Sequence, residues 1–180
     1  MNTSSANPFT LLGLQPRFDL DPQQLQRAFL KAGAANHPDR FTDPDEQDEA
    51  VRRSAQINAA HRQLKDPLDR AQILLDLLGS SNQTDGQALP DGFLFEMLEI
   101  REQVSDAQDA DNQPQLEQLK QWAQQQRDQH LKTIAQHFDD ALAANTLTDP
   151  VAQQINIQLN ALRYIERMIE QLDPDHSDLP

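Results

Sequence analysis

Apolar residues along the chain recur at three- and four-residue spacing, and no alternating stretch of useful length appears, so the pattern predicts helices and no sheet. The helix starts share one device: a residue able to cap free amides, then a proline, which is tolerated at the first helical position because the N–H it lacks has no partner there. Asn7-Pro8 opens a short helix ending at Gly13. Asp21-Pro22 opens a second, with Leu25, Ala28, Phe29 and Ala32 on one face, ending near Asn36. Asp43-Pro44 opens a third through Val51, Ala55, Asn58 and Leu64, and Asp66-Pro67 a fourth through Leu68, Ala71, Leu75 and Leu78, stopped by Gly79. The stretch 79–92, GSSNQTDGQALPDG, reads as a linker.

Past it, helices are predicted from about Phe93 to Gln108 and from about Pro114 to Ala144. Thr148-Asp149-Pro150 opens the last, whose Ile155, Leu159, Leu162, Ile165, Ile169 and Leu172 keep helical spacing. The expected architecture is all-α: a helical unit over 1–80, a linker over 81–92, an antiparallel three-helix bundle over 93–172 and a disordered tail over 173–180. Residues 1–6 are also expected to be disordered, and no internal repeat is present.

Composition sharpens this picture. With only 5 glycines and many Gln, Ala, Leu, Asp and Glu, the chain is rich in residues that lose little rotamer freedom in a helix. The apolar runs are too short for a membrane span, and the start Met1-Asn2-Thr3-Ser4-Ser5 lacks a signal pattern, so a cytosolic protein is expected. The absence of Cys removes disulfides, thiolate nucleophiles and Cys-held zinc or iron-sulfur clusters, so no cofactor is expected on this chain. Charge is uneven: residues 1–80 hold 9 Lys and Arg against 11 Asp and Glu, net -2, whereas residues 81–180 hold 6 against 18, net -12. The two halves therefore suit different partners. The total of -14 argues against a general nucleic-acid or membrane binder.

The residues with most chemical promise sit between the second and third helices. Pro38 locks the backbone of His37-Pro38-Asp39, so the imidazole and carboxylate project from a rigid turn, and an ionised Asp39 suits an arginine fork on a partner. Read by itself, the tripeptide is a weak signal and is more simply a helix-ending turn, in which Pro fixes φ and Asp caps. From Pro22 to Pro38 the chain carries Arg27 and Lys31 and no acid, a small positive stripe on an acidic protein. Together with Phe9-Thr10-Leu11-Leu12-Gly13-Leu14 and Ile57-Asn58-Ala59-Ala60, this helix-turn-helix resembles the J-domain of DnaJ-type co-chaperones. The resemblance implies docking on an HscA/DnaK-type chaperone, with Arg27, Lys31 and Arg40 steering and His37, Pro38 and Asp39 triggering its ATP hydrolysis.

No Gly/Phe-rich segment or Cys-rich zinc region follows, as it would in DnaJ itself. Instead Asp66-Pro67-Leu68-Asp69-Arg70-Ala71-Gln72-Ile73-Leu74-Leu75 and Phe93-Leu94-Phe95-Glu96-Met97-Leu98-Glu99-Ile100-Arg101-Glu102 resemble HscB, the J-type co-chaperone family of iron-sulfur cluster assembly. The likeness spans about residues 7–172. Asn36 and His61 stand where aromatics are common in the family, and Gly33 lies inside the second helix, which puts local packing there in question.

At about 100° per residue, Phe93, Met97, Ile100 and Val104 share one face, while Leu94, Phe95 and Leu98 form a second one bordered by Glu99 and Glu102. Two readings of the second face stand side by side: packing against the N-terminal unit, or an exposed apolar patch with an acidic rim that binds a protein. The HscB resemblance implies the latter, with Leu94, Phe95, Leu98, Glu99, Glu102 and Tyr164 holding an IscU-type scaffold.

Other signals are weaker. His130 and His137 lie two helical turns apart, too far for the usual metal pair, and read as solvated. Asp109, Asp111 and Gln113 depart from a calcium loop at Pro114, and Trp122 reads as a core or interface anchor. The expectation is a non-enzymatic co-chaperone joining scaffold and chaperone. A J-domain co-chaperone for another client is the alternative, and an acidic structural protein with a chance turn is the third class.

Overall fold

In a computed structural model, residues 7–80 and 88–172 are described, and among them every regular element is helical. The expectations for 1–6, for 81–87 of the linker and for 173–180 lie outside these residues. The helices are α1 (Pro8–Leu11), α2 (Pro22–Ala35), α3 (Pro44–Lys65), α4 (Pro67–Leu77), α5 (Phe93–Asp109), α6 (Gln113–Ala144) and α7 (Asp149–Leu172), with a single 3-10 turn at Pro38–Arg40 between α2 and α3. No helix among the described residues is long and apolar enough to cross a membrane.

The cap-then-proline reading of the helix starts is realised in atoms. The side chains of Asn7, Asp21, Asp43 and Asp66 accept from the amides of Phe9 (2.9 Å), Gln23 (2.9 Å), Asp45 (2.9 Å) and Leu68 (2.7 Å), each satisfying a donor that the helix cannot. Asn112 does the same for Gln115 at 3.3 Å, one residue earlier than the expected start at Pro114. α5 starts differently: Gly92 precedes it at φ +78°, a left-handed conformation that suits glycine, with no side-chain cap.

The chain divides into two compact units, Met1–Gly79 and Ser80–Pro180. The N-terminal core joins Phe9 and Leu12 to Leu25, Ile57, Leu64, Ala71, Leu74 and Leu75. It also takes Phe18 and Leu20 from the connection between α1 and α2, where no periodicity announced them. Arg70 lays its guanidinium over the Phe18 ring, 5.1 Å from the centroid, and donates to the Leu64 carbonyl, which ties the start of α4 to the end of α3. The third helix requires a correction. Its buried face is Ala50, Ile57, Ala60 and Leu64, whereas Val51, Ala55 and Asn58 are exposed, because packing against α1 and α2 selects the stripe led by Ile57, the larger side chain.

In the C-terminal unit α7 supplies the spine. Ile155, Leu159, Leu162, Ile165 and Ile169 are all buried, against Ile134 and Phe138 of α6 and Phe93 and Met97 of α5. Trp122 is half-buried against the same cluster, as is Leu89, and Asn160 Nδ2 donates to the Ala88 carbonyl (3.0 Å), so 88–92 are anchored to this unit. His130 and His137 are half-buried rather than solvated. His130 Nδ1 lies 2.7 Å from Gln158 Oε1 and its ring meets Phe93 edge-on, a partnership that needs α5, α6 and α7 to be in place.

Candidate functional site

The His37–Asp39 turn is held by directional polar contacts from both flanking helices. Asn36 closes α2: its backbone N–H and its Nδ2 both donate to the Ala32 carbonyl, at 3.2 and 2.8 Å, while its own carbonyl accepts from Ser54 Oγ of α3 at 3.0 Å. Arg40 Nη1 donates to the Ala34 carbonyl (3.2 Å), and Gln47 Nε2 donates to the Phe41 carbonyl (2.7 Å). An asparagine where the family favours an aromatic thus serves as a helix end cap.

Within the turn the Asp39 amide donates to His37 Nδ1 at 3.3 Å, which leaves the neutral ring's proton on the outward Nε2. The Asp39 carboxylate is 3.6 Å from that nitrogen, beyond hydrogen-bond length, and its side chain is 88% exposed. It therefore has free acceptor capacity for an outside donor. Arg27 and Lys31 are exposed on α2, but Arg27 pairs with Asp21 at 3.7 Å, just before the acid-free stretch, so part of the positive stripe is locally balanced. Arg40, expected to steer, is engaged with the α2 end.

The second surface is on α5. Phe93 and Met97 are buried and Ile100 and Val104 half-buried, whereas Leu94, Phe95 and Leu98 are 54, 76 and 63% exposed, with Glu99 and Glu102 exposed beside them. Tyr164 of α7 is exposed too. Its ring meets Phe93 edge-on with centroids 6.0 Å apart, and Arg167 lies over its other side at 5.2 Å. A groove of about 280 Å³ runs between α5 and α7 from Leu94 and Leu98 over Met97 to Met168, with Arg101 and Arg167 also lining it. Reading α5 alone missed Arg101, Arg167 and Met168. The signal was available one helical turn from Leu98 and from Tyr164, but only the pairing of α5 with α7 makes it a site.

What the two surfaces share is chemistry of association: exposed charge on a rigid turn, and exposed apolar area over a packed base. Among the described residues no three His, Asp or Glu side chains gather as metal ligands.

Comparison with known proteins agrees with this character. Residues 89–173 match the family model described as the HSCB C-terminal oligomerisation domain. A co-chaperone protein HscB homolog from Aeromonas hydrophila is 37% identical over 170 residues, covering 93% of this chain and 94% of its own. One from Vibrio vulnificus is 36% identical over 139 residues, 75% of this chain and 81% of its own. Among solved structures, chaperone HscB from Vibrio cholerae superposes with a TM-score of 0.73 at 28% identity over 97% of this chain and 99% of that one. The human co-chaperone protein HscB, at TM-score 0.77 and 20% identity over 99% of this chain and 86% of that one, shares the fold. With a relative above one-third identity over nearly its whole length, this chain belongs to the HscB co-chaperone family.

Proposed function

We propose that the chain is a cytosolic adaptor that brings an IscU-type iron-sulfur scaffold to an HscA/DnaK-type chaperone, stimulates ATP hydrolysis there and so promotes cluster transfer. It catalyses no reaction itself and carries no cofactor; ATP and cluster belong to its partners. The N-terminal unit acts as a J-domain. Arg27 and Lys31 steer α2 onto the chaperone, Arg40 supports the turn, and His37, Pro38 and Asp39 present the trigger. Leu94, Phe95, Leu98, Glu99, Glu102 and Tyr164 hold the scaffold.

One observation carries this reading: three large apolar residues stay exposed on α5 of a chain whose other compact unit presents an ordered, exposed carboxylate on a proline-locked turn. An apolar patch of that kind gains free energy by association, and a free carboxylate gains a charge-assisted bond of about 1.5–3 kcal/mol when a cation meets it. Linking the two sites in one chain makes the encounter of scaffold and chaperone effectively intramolecular.

The test uses two variants of the full chain with purified chaperone and scaffold. Asp39→Asn should fold normally, keep scaffold binding and lose ATPase stimulation. Replacing Leu94, Phe95 and Leu98 together with Ala should weaken scaffold binding by several kcal/mol, as removal of a central apolar cluster does. It should keep stimulation without scaffold and lose the extra stimulation that scaffold adds. Full stimulation by Asp39→Asn, or unchanged scaffold affinity in a folded triple variant, would overturn the assignment; an unfolded triple variant would mean those side chains serve packing.

A further inference from the structure

Leu94 and Phe95, two of the exposed apolar residues of α5, stand in its first turn, where a helix frays most readily because the amides there have no intrahelical acceptor. α1, α2, α3, α4 and α6 close that turn with a side-chain cap. α5 opens on Gly92 without one, and the Gly92 carbonyl accepts from Phe95 (3.1 Å) and Glu96 (3.2 Å). The support lies beneath. Phe93, the first residue of α5, is buried and meets two rings edge-on: Tyr164 of α7, with planes 74° apart, and His130 of α6, with centroids 6.1 Å and planes 75° apart. The His130 ring is itself aimed, since Nδ1 donates to Gln158 Oε1 of α7 at 2.7 Å. Of its two neighbours in the unit, α5 runs closer to α6 than to α7. Yet α6 lends no side chain to the proposed scaffold face, nor to the groove beside it.

We infer that His130 is a positioning residue for scaffold binding, acting from α6 through Phe93 on the uncapped turn that carries Leu94 and Phe95. This rests on the scaffold reading above and adds a residue that touches no partner. The bond to Gln158 holds the imidazole in one orientation, and an edge-on aromatic pair is directional, so the ring fixes the placement of Phe93. Successive side chains leave a helix about 100° apart, so fixing Phe93 fixes where Leu94 and Phe95 point. Side chains already placed cost less to order when a partner arrives, which is how a residue out of reach of the scaffold raises affinity for it. Tyr164 cannot serve as this fixed support, because it is exposed and assigned to the scaffold contact itself. The approach to α5 is set separately. Asn160 Nδ2 holds the Ala88 carbonyl (3.0 Å) while Asn160 Oδ1 accepts from Arg163 (2.7 Å), so the chain enters at a fixed point and Phe93 decides the rotation.

The test measures binding of purified IscU-type scaffold to the full chain by calorimetry, beside amide hydrogen exchange of the chain alone. His130→Ala removes ring and bond; His130→Asn keeps a donor near the Nδ1 position but no ring. Both should raise Kd roughly fivefold, the order of one edge-on aromatic contact. His130→Phe with Gln158→Leu keeps the ring and leaves no buried amide without its partner, and should bind within about twofold of the unmodified protein. In the Ala and Asn variants exchange should quicken at Phe95 and Glu96, while the amides of Ile134 and Ile165 keep their protection. Chaperone stimulation without scaffold should not change. The inference is overturned if His130→Ala binds normally, if the variant that keeps the ring binds as weakly as His130→Ala, or if exchange quickens equally along α5, α6 and α7, which would mark a role in folding alone. The Leu94, Phe95 and Leu98 variant is run beside these. If it binds scaffold normally, the scaffold reading fails; if it loses binding while His130→Ala does not, only the positioning role fails.

Discussion

The two candidate surfaces are built by opposite means. The turn at 37–39 stays exposed and is fixed from its flanks by hydrogen bonds at the end of α2 and along α3, with little apolar burial of its own. The α5 face is apolar, has no side-chain cap at its N-terminus, and takes its position from what lies beneath it: Phe93 and Met97 against Ala161, Ile165 and Ile169 of α7. Directional bonds suit a site that must aim one carboxylate. Close packing suits a site that must offer area, because a packed base holds a helix as a body and leaves its outer side chains free to meet a partner. The contrast teaches that the first surface should fail through single polar contacts and charges, and the second through loss of volume in the core.

The largest effect should come from that core. Ile165 is fully buried in the cluster under α5, and Ile165→Ala should destabilise the C-terminal unit by about 2–5 kcal/mol, the range for deleting a buried aliphatic side chain. Denaturant unfolding followed by Trp122 fluorescence reads this unit, because Trp122 packs on the same cluster. Scaffold affinity should fall with it, while chaperone stimulation without scaffold should persist. Loss of stimulation in step with the Trp122 transition would show that the division of labour does not hold.

How much of this could be read beforehand depended on whether the deciding physics was local. Helix starts were legible, since an Asp or Asn cap and a following proline act within three residues, and the spine of α7 was legible because five buried positions keep one period. The face of α3 was not. Alanine packs in a core or sits in water at little difference, so Ala50 and Ala60 lead to one stripe and Val51 and Ala55 to another, and only α1 and α2 decide between them. Phe18 and Leu20 lie in a connection, where burial has no period to betray it. The 37–39 turn was visible because proline restricts its own φ, but the Ser54, Arg40 and Gln47 bonds that hold it span 6 to 18 residues. His130 looked solvated because its partner Gln158 lies 28 residues away.

A smaller effect tests whether the N-terminal unit depends on slack in α2. Gly33 sits in the last turn of α2 with no left-handed torsion, and a Cβ built there meets nothing within 4 Å. Gly33→Ala should therefore stabilise this unit by roughly 0.5–1 kcal/mol, through the backbone freedom that glycine loses on folding. Chaperone stimulation should stay the same, since the bonds from Asn36 and Arg40 to Ala32 and Ala34 use backbone carbonyls. A stabilised variant with weaker stimulation would mean that flexibility next to the turn is used.

The smallest effect concerns His61, where the N-terminal unit relies on ring packing. His61 of α3 stacks on Phe29 of α2, centroids 4.3 Å apart and planes 24° apart, so it fills the aromatic place that the family pattern reserves there. Its pKa is lowered from the usual 6.5, first by desolvation and then by the charge of Lys65 one turn along α3. Both causes disfavour the imidazolium in the folded state, so the unfolded chain binds the proton more readily. The sign follows: this contribution is fully present above the unfolded value and is lost as pH falls through the lowered folded value. Unfolding of the unmodified chain and of His61→Phe, compared at about pH 7.5 and 5.5, isolates it, because carboxylate titration below that window is common to both. The unmodified N-terminal unit should lose more stability on acidification than His61→Phe, while the Trp122 transition of the C-terminal unit should respond alike in both proteins. Identical losses would mean that the Phe29–His61 stack tolerates the charge.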